Sequence, residues 1–204
     1  MNLNQILECS TPFQHWEFSK CLNDNAINEI SYSIIPDGER AYDGTRAADD
    51  NGDGLDGKLR LFITKENKDY FPYLTKVINS LQSKLTVKKI SGLLNKDLSS
   101  SYVRLEIIGD KKGFWLKPHK DIKEKLMTMM IWANPYQESK SLGTDLYDDN
   151  FNIVKTIQYK HNTGYFFSSG QDTWHGLELK EIKKERRCIQ INYVTFKTDW
   201  PINK

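Results

Sequence analysis

The chain has 204 residues, of which 38 % are hydrophobic and 27 % are charged, and its formal net charge is +2. This composition is typical of a soluble globular protein and excludes a largely disordered chain. The small net charge argues against nucleic-acid binding through bulk electrostatics, and no apolar run is long enough to cross a membrane. The length predicts one domain over residues 1–204.

The first hundred residues predict a mixed layer that is mostly helical. Isoleucines recur at helical spacing in residues 25–34, and apolar residues recur every three or four positions in residues 67–85. The segment "LRLFIT" at residues 59–64 predicts a short strand between them. We therefore expect residues 1–100 to form a helical or mixed part that covers a β-rich core.

A Gly/Asp-rich loop, residues 37–57, interrupts this first part. "DDNGDGLDG" matches the first half of an EF-hand loop, but Arg60 stands where a bidentate glutamate is required. We therefore favour a lid over a calcium site, with Arg40 and Arg46 as candidate substrate contacts.

The chain becomes almost entirely β after residue 100. Turn-like stretches such as "GDKKG" and "SSGQD" separate many of the short strands, and "LMTMMIW" is apolar without alternation, as in a central strand that is covered on both faces. The fold class predicted is mainly β with N-terminal helices (α+β), and residues 101–197 form a jelly-roll core. The predicted strands are residues 101–108, 113–119, 125–133, 143–148, 152–159, 164–169, 175–179 and 186–196.

Three residues in this half predict a metal site. His119 and Asp121 are two residues apart, so in a strand they share a face, and His175 opens a later strand. Two imidazoles and one carboxylate on one face of an octahedral ion leave three positions open, which suits non-haem Fe(II). A dicarboxylate co-substrate would then need a cation beyond the metal, and arginine pairs bidentately with carboxylates.

Two arginines, Arg186 and Arg187, are candidates for that cation. Strand alternation places Arg186 on a polar face with Cys188, Gln190 and Asn192, whereas Arg187 shares a face with apolar residues. The polar face suits the lining of an active site, so we favour Arg186 and keep Arg187 as the alternative.

A second polar strand face belongs to "SYVRLEII". Arg104 and Glu106 lie on it and are candidates for the wall of a substrate pocket, although a solvated edge strand explains the pattern equally well.

The order HxD…His…Arg resembles that of the Fe(II)/2-oxoglutarate-dependent oxygenases. The resemblance is carried by "PHKD", "LGTDLYD", "SSGQDTWHGLEL" and "RRCIQINYV", and it covers residues 100–196 best. It implies a double-stranded β-helix (jelly-roll) fold, with His119, Asp121 and His175 as iron ligands. It also implies that Arg186 anchors 2-oxoglutarate, although Cys188 replaces the serine or threonine usual in the Arg-x-Ser pattern.

The cofactors implied are Fe(II), 2-oxoglutarate and O₂, and the activity is hydroxylation coupled to conversion of 2-oxoglutarate to succinate and CO₂. Related halogenases lack the ligand carboxylate, so the presence of Asp121 favours hydroxylation. We expect a small-molecule substrate and no nucleic-acid or membrane partner. The alternatives are a prolyl-type protein hydroxylase and a non-catalytic jelly-roll binding module.

Cysteine usage and the N-terminus bear on localisation. Three sparse cysteines form no CxxC pair, which suits a reducing compartment, and "MNLNQILECS" lacks the basic and apolar regions of a signal peptide. We therefore expect a cytoplasmic protein.

Overall fold

A computed structural model describes residues 1–3, 5–36 and 58–202. The loop predicted over residues 37–57, with Arg40 and Arg46, lies outside these ranges. Among the helices described, none is both long and apolar enough to span a bilayer.

Two antiparallel sheets form the body of the structure. The larger has eight strands in the order β1-β2-β9-β6-β11-β4-β12, with β3 also pairing with β4, and the smaller has four in the order β5-β10-β7-β8. The two sheets face each other as a jelly roll, the predicted fold class. The strands are β1 Ile6–Cys9, β2 His15–Ser19, β3 Lys58–Phe62, β4 Tyr102–Asp110, β5 Leu116–His119, β6 Lys125–Ala133, β7 Thr144–Tyr147, β8 Ile153–Ile157, β9 Thr163–Phe167, β10 His175–Leu177, β11 Arg186–Val194 and β12 Trp200–Pro201.

The larger sheet is amphipathic, and strand alternation separates its two faces. On β11, Ile189, Ile191 and Tyr193 join the apolar core on the outer face. The inner face, which is turned toward the smaller sheet, carries Arg186 and Gln190 and lines the pocket described below. A polar stripe on a central strand is unusual for a packed core, so it marks the region where function is to be sought.

Three helices cover the outer face: α1 Asp24–Tyr32, α2 Pro72–Gln82 and α3 Lys84–Leu94. Leu74, Ile78 and Leu81 recur on one side of α2 and are fully buried in the same core as β11. The Tyr193 hydroxyl donates a hydrogen bond to the Leu81 carbonyl at 2.7 Å, which ties α2 to the centre of the sheet. The helical layer predicted for the N-terminal half is therefore confirmed.

The single helix predicted over residues 67–85 is wrong in its extent. A short 3₁₀ turn, Lys68–Tyr70, precedes α2, and the backbone is extended at Ser83, where a new helix begins. The Ser83 hydroxyl accepts a hydrogen bond from the Thr86 N–H, so this residue caps α3 at its N-terminus. The apolar periodicity runs through the junction, and it concealed the break.

The N-terminal hairpin of β1 and β2 was missed by the sequence analysis. β2 pairs with β9, which extends the larger sheet by two strands. These strands are only four and five residues long, too short for alternation to stand out. Among the predicted strands, β6 has the expected bounds, and the others differ at their ends by three residues or fewer.

Candidate metal centre and its pocket

Three potential ligands converge where the smaller sheet faces the larger one. His119 ends β5, His175 begins β10, and the two residues are direct partners in the antiparallel pair. Asp121 lies two residues beyond His119. One ligand atom from each of the three side chains lies within 4.8 Å of the others, and the two imidazole centroids are 4.3 Å apart.

Backbone carbonyls orient both imidazoles. His119 Nδ1 lies 3.1 Å from the Lys117 carbonyl, and His175 Nδ1 lies 2.9 Å from the Thr173 carbonyl. Because a carbonyl oxygen can only accept, each Nδ1 carries the proton and donates, which leaves each Nε2 with a free lone pair. Metal-bound histidines in proteins usually have such a partner on the other nitrogen.

The electrostatics of the site keep both imidazoles neutral, which is the form that binds metals. Burial, together with the neighbouring His175, lowers the pKa of His119 to about 3. Burial also lowers the pKa of His175 below its usual range. Neither ring therefore needs to lose a proton near neutral pH before it binds a cation.

The Asp121 carboxylate is held ionised by its neighbours. Burial alone would raise its pKa, but the adjacent Lys125 ammonium outweighs burial and keeps the pKa well below the usual range. Lys125 forms an ion pair with one carboxylate oxygen, and the Thr128 hydroxyl donates to the other. Asn192 in turn donates to the Thr128 hydroxyl at 2.9 Å, so a chain of hydrogen bonds supports the carboxylate from β6 and β11.

This donor set fits a divalent metal ion. Two neutral imidazoles and one carboxylate, all oriented by further hydrogen bonds, match the facial arrangement that suits non-haem Fe(II) and leaves positions open for other ligands. The ligands come from two paired strands and the segment that follows one of them.

A pocket between the two sheets contains this site. Phe114, Leu116 and Leu177 supply apolar wall, and the remaining lining residues are mainly polar or charged. The lining residues that carry the argument are Lys58, Arg60, Lys125, Thr128, Arg186 and Gln190.

Arg186 lies at one end of this pocket, and Arg187 lies on the opposite face of β11. The Arg186 guanidinium pairs with Asp110 and donates to the Leu142 and Gly143 carbonyls. Arg187 instead pairs with Glu185 and donates to backbone carbonyls of α1 and the residues after it. The two arginines thus point to opposite faces, with Arg186 on the pocket side.

The two residues expected in the pocket wall, Arg104 and Glu106, lie elsewhere. Arg104 donates to Asn192 at 3.0 Å and borders a separate surface depression with Phe62 and Phe196. Glu106 is fully buried and pairs with Arg60 at 3.4 Å, so it supports a residue of the pocket wall from behind. The strands of the larger sheet are longer than the pocket. Two residues on the same face of this sheet can therefore border different depressions.

Sequence reasoning missed several polar residues of the pocket, among them Lys58, Arg60, Lys125 and Thr128. The alternation of Lys58, Arg60 and Phe62 along β3 was a usable signal, since it places both cations on one face. Lys125 and Thr128 gave no comparable signal, because they fall within a run of apolar residues.

A second group of potential metal ligands, Cys9, His15 and Glu17, lies at the far edge of the larger sheet. The Lys155 ammonium lies among them, 3.5 Å from the Cys9 sulfur and 3.3 Å from His15 Nε2, and it pairs with Glu17. A cation of the protein itself therefore already neutralises this group. In the His119 group, the Lys125 ammonium pairs with Asp121, and no hydrogen bond from it to either imidazole is found among the described residues.

Gly176 allows the two histidine strands to approach each other. A Cβ atom at this position would lie 2.5 Å from the Leu116 carbonyl oxygen and 3.0 Å from that of Lys117. We expect Gly176→Ala to push β10 away from β5 and so to displace the two histidines. Mutating residues that orient metal ligands typically lowers metal affinity 10–100-fold, and we expect Fe(II) binding to weaken by roughly that factor. Competition with a chromogenic chelator under anaerobic conditions would measure this.

The control is Gly92→Ala on α3, where a new Cβ meets nothing within 4 Å. This variant should bind Fe(II) like the parent, and alanine should favour the helix. Parent-like Fe(II) affinity in Gly176→Ala would show that the spacing of β5 and β10 does not determine the site.

Comparison with known proteins rests on structure. No protein-family model matches the chain, and no curated protein sequence matches it. Among solved structures, a prolyl-4-hydroxylase from Pseudomonas putida matches with a TM-score of 0.59 and 8 % identity, covering 90 % of this chain and 93 % of that chain. A Trichoplax adhaerens prolyl hydroxylase, solved with a peptide fragment of the hypoxia-inducible-factor oxygen degradation domain, matches with a TM-score of 0.58 and 16 % identity, covering 89 % and 83 %.

A 2-oxoglutarate–Fe(II) oxygenase family oxidoreductase from Burkholderia pseudomallei also matches, with a TM-score of 0.50 and 11 % identity over 69 % of each chain. At such identities the likeness establishes the fold. The chain has the double-stranded β-helix fold of the 2-oxoglutarate–Fe(II) oxygenases, as the sequence resemblance implied.

Proposed function

We propose that this protein is an Fe(II)- and 2-oxoglutarate-dependent oxygenase that hydroxylates a small-molecule substrate. The observation that carries the proposal is the convergence of His119, Asp121 and His175 within one pocket that also contains Arg186. The fold supports this proposal. The order HxD…His…Arg resembles that of the 2-oxoglutarate-dependent oxygenases, and this chain has the fold of those enzymes.

The protein's own residues would have distinct roles in this reaction. His119, Asp121 and His175 would hold Fe(II), which when bound supplies activation of O₂ and oxidative decarboxylation of 2-oxoglutarate to succinate and CO₂. Lys125 and Thr128 hold the Asp121 carboxylate in place and ionised. The apolar wall around Phe114 and Leu177 would limit the access of water to the bound metal.

Arg186 would bind the distal carboxylate of 2-oxoglutarate. A guanidinium has five N–H groups, and within the described residues three of them donate to Asp110 and to the two carbonyls. Two donors therefore remain for a ligand. The buried contacts fix the arginine side chain before the ligand arrives, which reduces the entropy lost on binding.

The presence of Asp121 supports hydroxylation over halogenation. A halide would need the position on the metal that this carboxylate would occupy. Since Asp121 is pre-positioned by two side-chain partners, we assign it the role of a ligand.

The proposal is tested by succinate formation. Protein reconstituted with Fe(II) should convert 2-oxoglutarate to succinate slowly in air, and the right substrate should accelerate this conversion. A screen of small metabolites, with proline-containing peptides in parallel, would separate the proposed substrate class from a prolyl-type protein hydroxylase. The likeness in fold to two prolyl hydroxylases justifies including the peptides.

A non-catalytic jelly-roll binding module is the rival from another class. It predicts that no succinate forms with any compound and that Fe(II) does not alter the affinity for 2-oxoglutarate. Metal-dependent 2-oxoglutarate binding without turnover would remove the enzyme part of the proposal and retain the binding site.

A further inference from the structure

The charges of the pocket do not balance. Four cationic side chains line it, and three of them have a carboxylate partner within ion-pair distance. The three pairs are Lys125 with Asp121, Arg186 with Asp110, and Arg60 with Glu106.

Lys58 is the fourth cation. Within the described part of the chain, no carboxylate lies within ion-pair distance of its ammonium, and no group accepts a hydrogen bond from it. Its nearest recorded partner is the Phe114 ring, with Nζ 5.1 Å from the ring centroid. A partly buried ammonium without an acceptor is costly, and an anionic ligand would remove that cost.

The register of the sheet places Lys58 close to the proposed co-substrate anchor. Asp110 on β4 is the direct partner of Lys58 on one side and of Arg186 on the other. Two strands in a sheet with one strand between them are about 10 Å apart, so long side chains from both can reach a ligand in the space between them. Lys58 and Arg186 thus flank the same end of the pocket.

The electrostatics agree with this geometry. Burial, and after it the nearby Arg60 charge, lowers the pKa of Lys58. An anion bound beside the ammonium would oppose both effects and favour the charged form. Asp110 and Glu106 act in the opposite direction and raise this pKa, but their ion pairs are with Arg186 and Arg60, and neither carboxylate pairs with the Lys58 ammonium.

We propose that Lys58 binds the distal carboxylate of the 2-oxo acid co-substrate together with Arg186. This proposal rests on the proposed function and extends it, because it assigns a second cation from β3 to the co-substrate site. Two cations on one carboxylate would make the pocket selective for dicarboxylic over monocarboxylic 2-oxo acids.

The test compares two ligands on the Mn(II)-loaded protein by calorimetric titration. 2-Oxoglutarate carries the distal carboxylate, and 2-oxobutyrate shares only the end that chelates the metal. Loss of a charge-assisted contact costs about 1.5–3 kcal/mol, so Lys58→Met should weaken 2-oxoglutarate binding by roughly 10–100-fold. The affinity of Lys58→Met for 2-oxobutyrate should stay within about twofold of the parent value. A change of that size is well below the tenfold change that corresponds to about 1.4 kcal/mol.

Two further variants complete the experiment. Lys58→Arg keeps the charge and should bind 2-oxoglutarate nearly as well as the parent. Lys88→Met removes an exposed lysine from α3, away from the pocket, and should change neither affinity. Thermal unfolding of each variant shows that the protein is folded under the conditions of titration.

Each other outcome contradicts the proposal in a distinguishable way. Parent-like 2-oxoglutarate affinity in Lys58→Met overturns the role of Lys58 and leaves the proposed function standing. An equal loss of affinity for 2-oxoglutarate and 2-oxobutyrate in Lys58→Met shows that Lys58 affects the whole pocket and does not bind the distal carboxylate. A parent protein that binds neither ligand contradicts the proposed function and this inference together.

Discussion

Replacing His175 with alanine is expected to abolish Fe(II) binding and 2-oxoglutarate turnover while the protein remains folded. Loss of an outer-sphere partner alone costs 10–100-fold in metal affinity, so loss of one of three protein ligands should cost at least about 100-fold. The structural cost should be small, because the imidazole is neutral and makes one hydrogen bond, to the Thr173 carbonyl. Leaving that buried carbonyl unpaired costs about 1–3 kcal/mol.

The matched control is His161→Ala, which removes an exposed imidazole that does not line the pocket. His161 accepts a hydrogen bond from the Asn134 N–H, so its loss should affect local stability only. Equilibrium Fe(II) binding and succinate formation would be measured for both variants. Near-parent activity in His175→Ala would contradict the assignment of the three ligands.

Replacing Arg186 with alanine should raise the KM for 2-oxoglutarate by roughly 30-fold or more, because truncating one partner of a desolvated charge pair costs about 2–5 kcal/mol. Fe(II) binding should survive, since the arginine does not belong to the ligand set. The structure adds a second consequence. Asp110 is fully buried, and without Arg186 its charge would be unpaired, which destabilises the fold by about 3–5 kcal/mol.

The two effects of this substitution can be separated. Combining Arg186→Met with Asp110→Asn removes both charges and should recover much of the lost stability, but the 2-oxoglutarate KM should stay high. Arg187→Ala is the control on the other face of β11, where Glu185 keeps Lys111 as a partner. A larger KM defect in Arg187→Ala than in Arg186→Ala would refute the proposed anchor.

The three candidate metal ligands could be picked out of the sequence because few residue types bind metals. The chain has only four histidines, and the spacing of His119 and Asp121 places both side chains at one end of a strand. Strand alternation was sufficient to separate Arg186 from Arg187, because β11 is a central strand with one polar and one apolar face. These inferences depend on local periodicity, which the sequence contains directly.

The misses concern contacts between distant segments. That Lys58 faces the same pocket as Arg186 depends on β3 pairing with β4 and on β4 pairing with β11, which together bring near each other two residues that are 128 positions apart (186 − 58). The break at Ser83 was hidden because both helices present apolar residues to the same core. Arg104 lies on the inner face of its sheet, as the pocket residues do, but it borders a different depression. Strand alternation predicts the face of a residue, whereas its neighbours on the adjacent strands depend on the register of pairing, which the sequence does not show.

The most direct test of the account is an anaerobic titration of the metal-free protein with Fe(II) and 2-oxoglutarate, followed by visible absorption. If the His119, Asp121 and His175 site holds Fe(II) with open positions, 2-oxoglutarate should chelate the metal, and a weak charge-transfer band should appear only when both are present. The band should be absent from His175→Ala and present in His161→Ala. A parent protein that shows no band at saturating Fe(II) and 2-oxoglutarate, or an unchanged band in His175→Ala, would contradict the account.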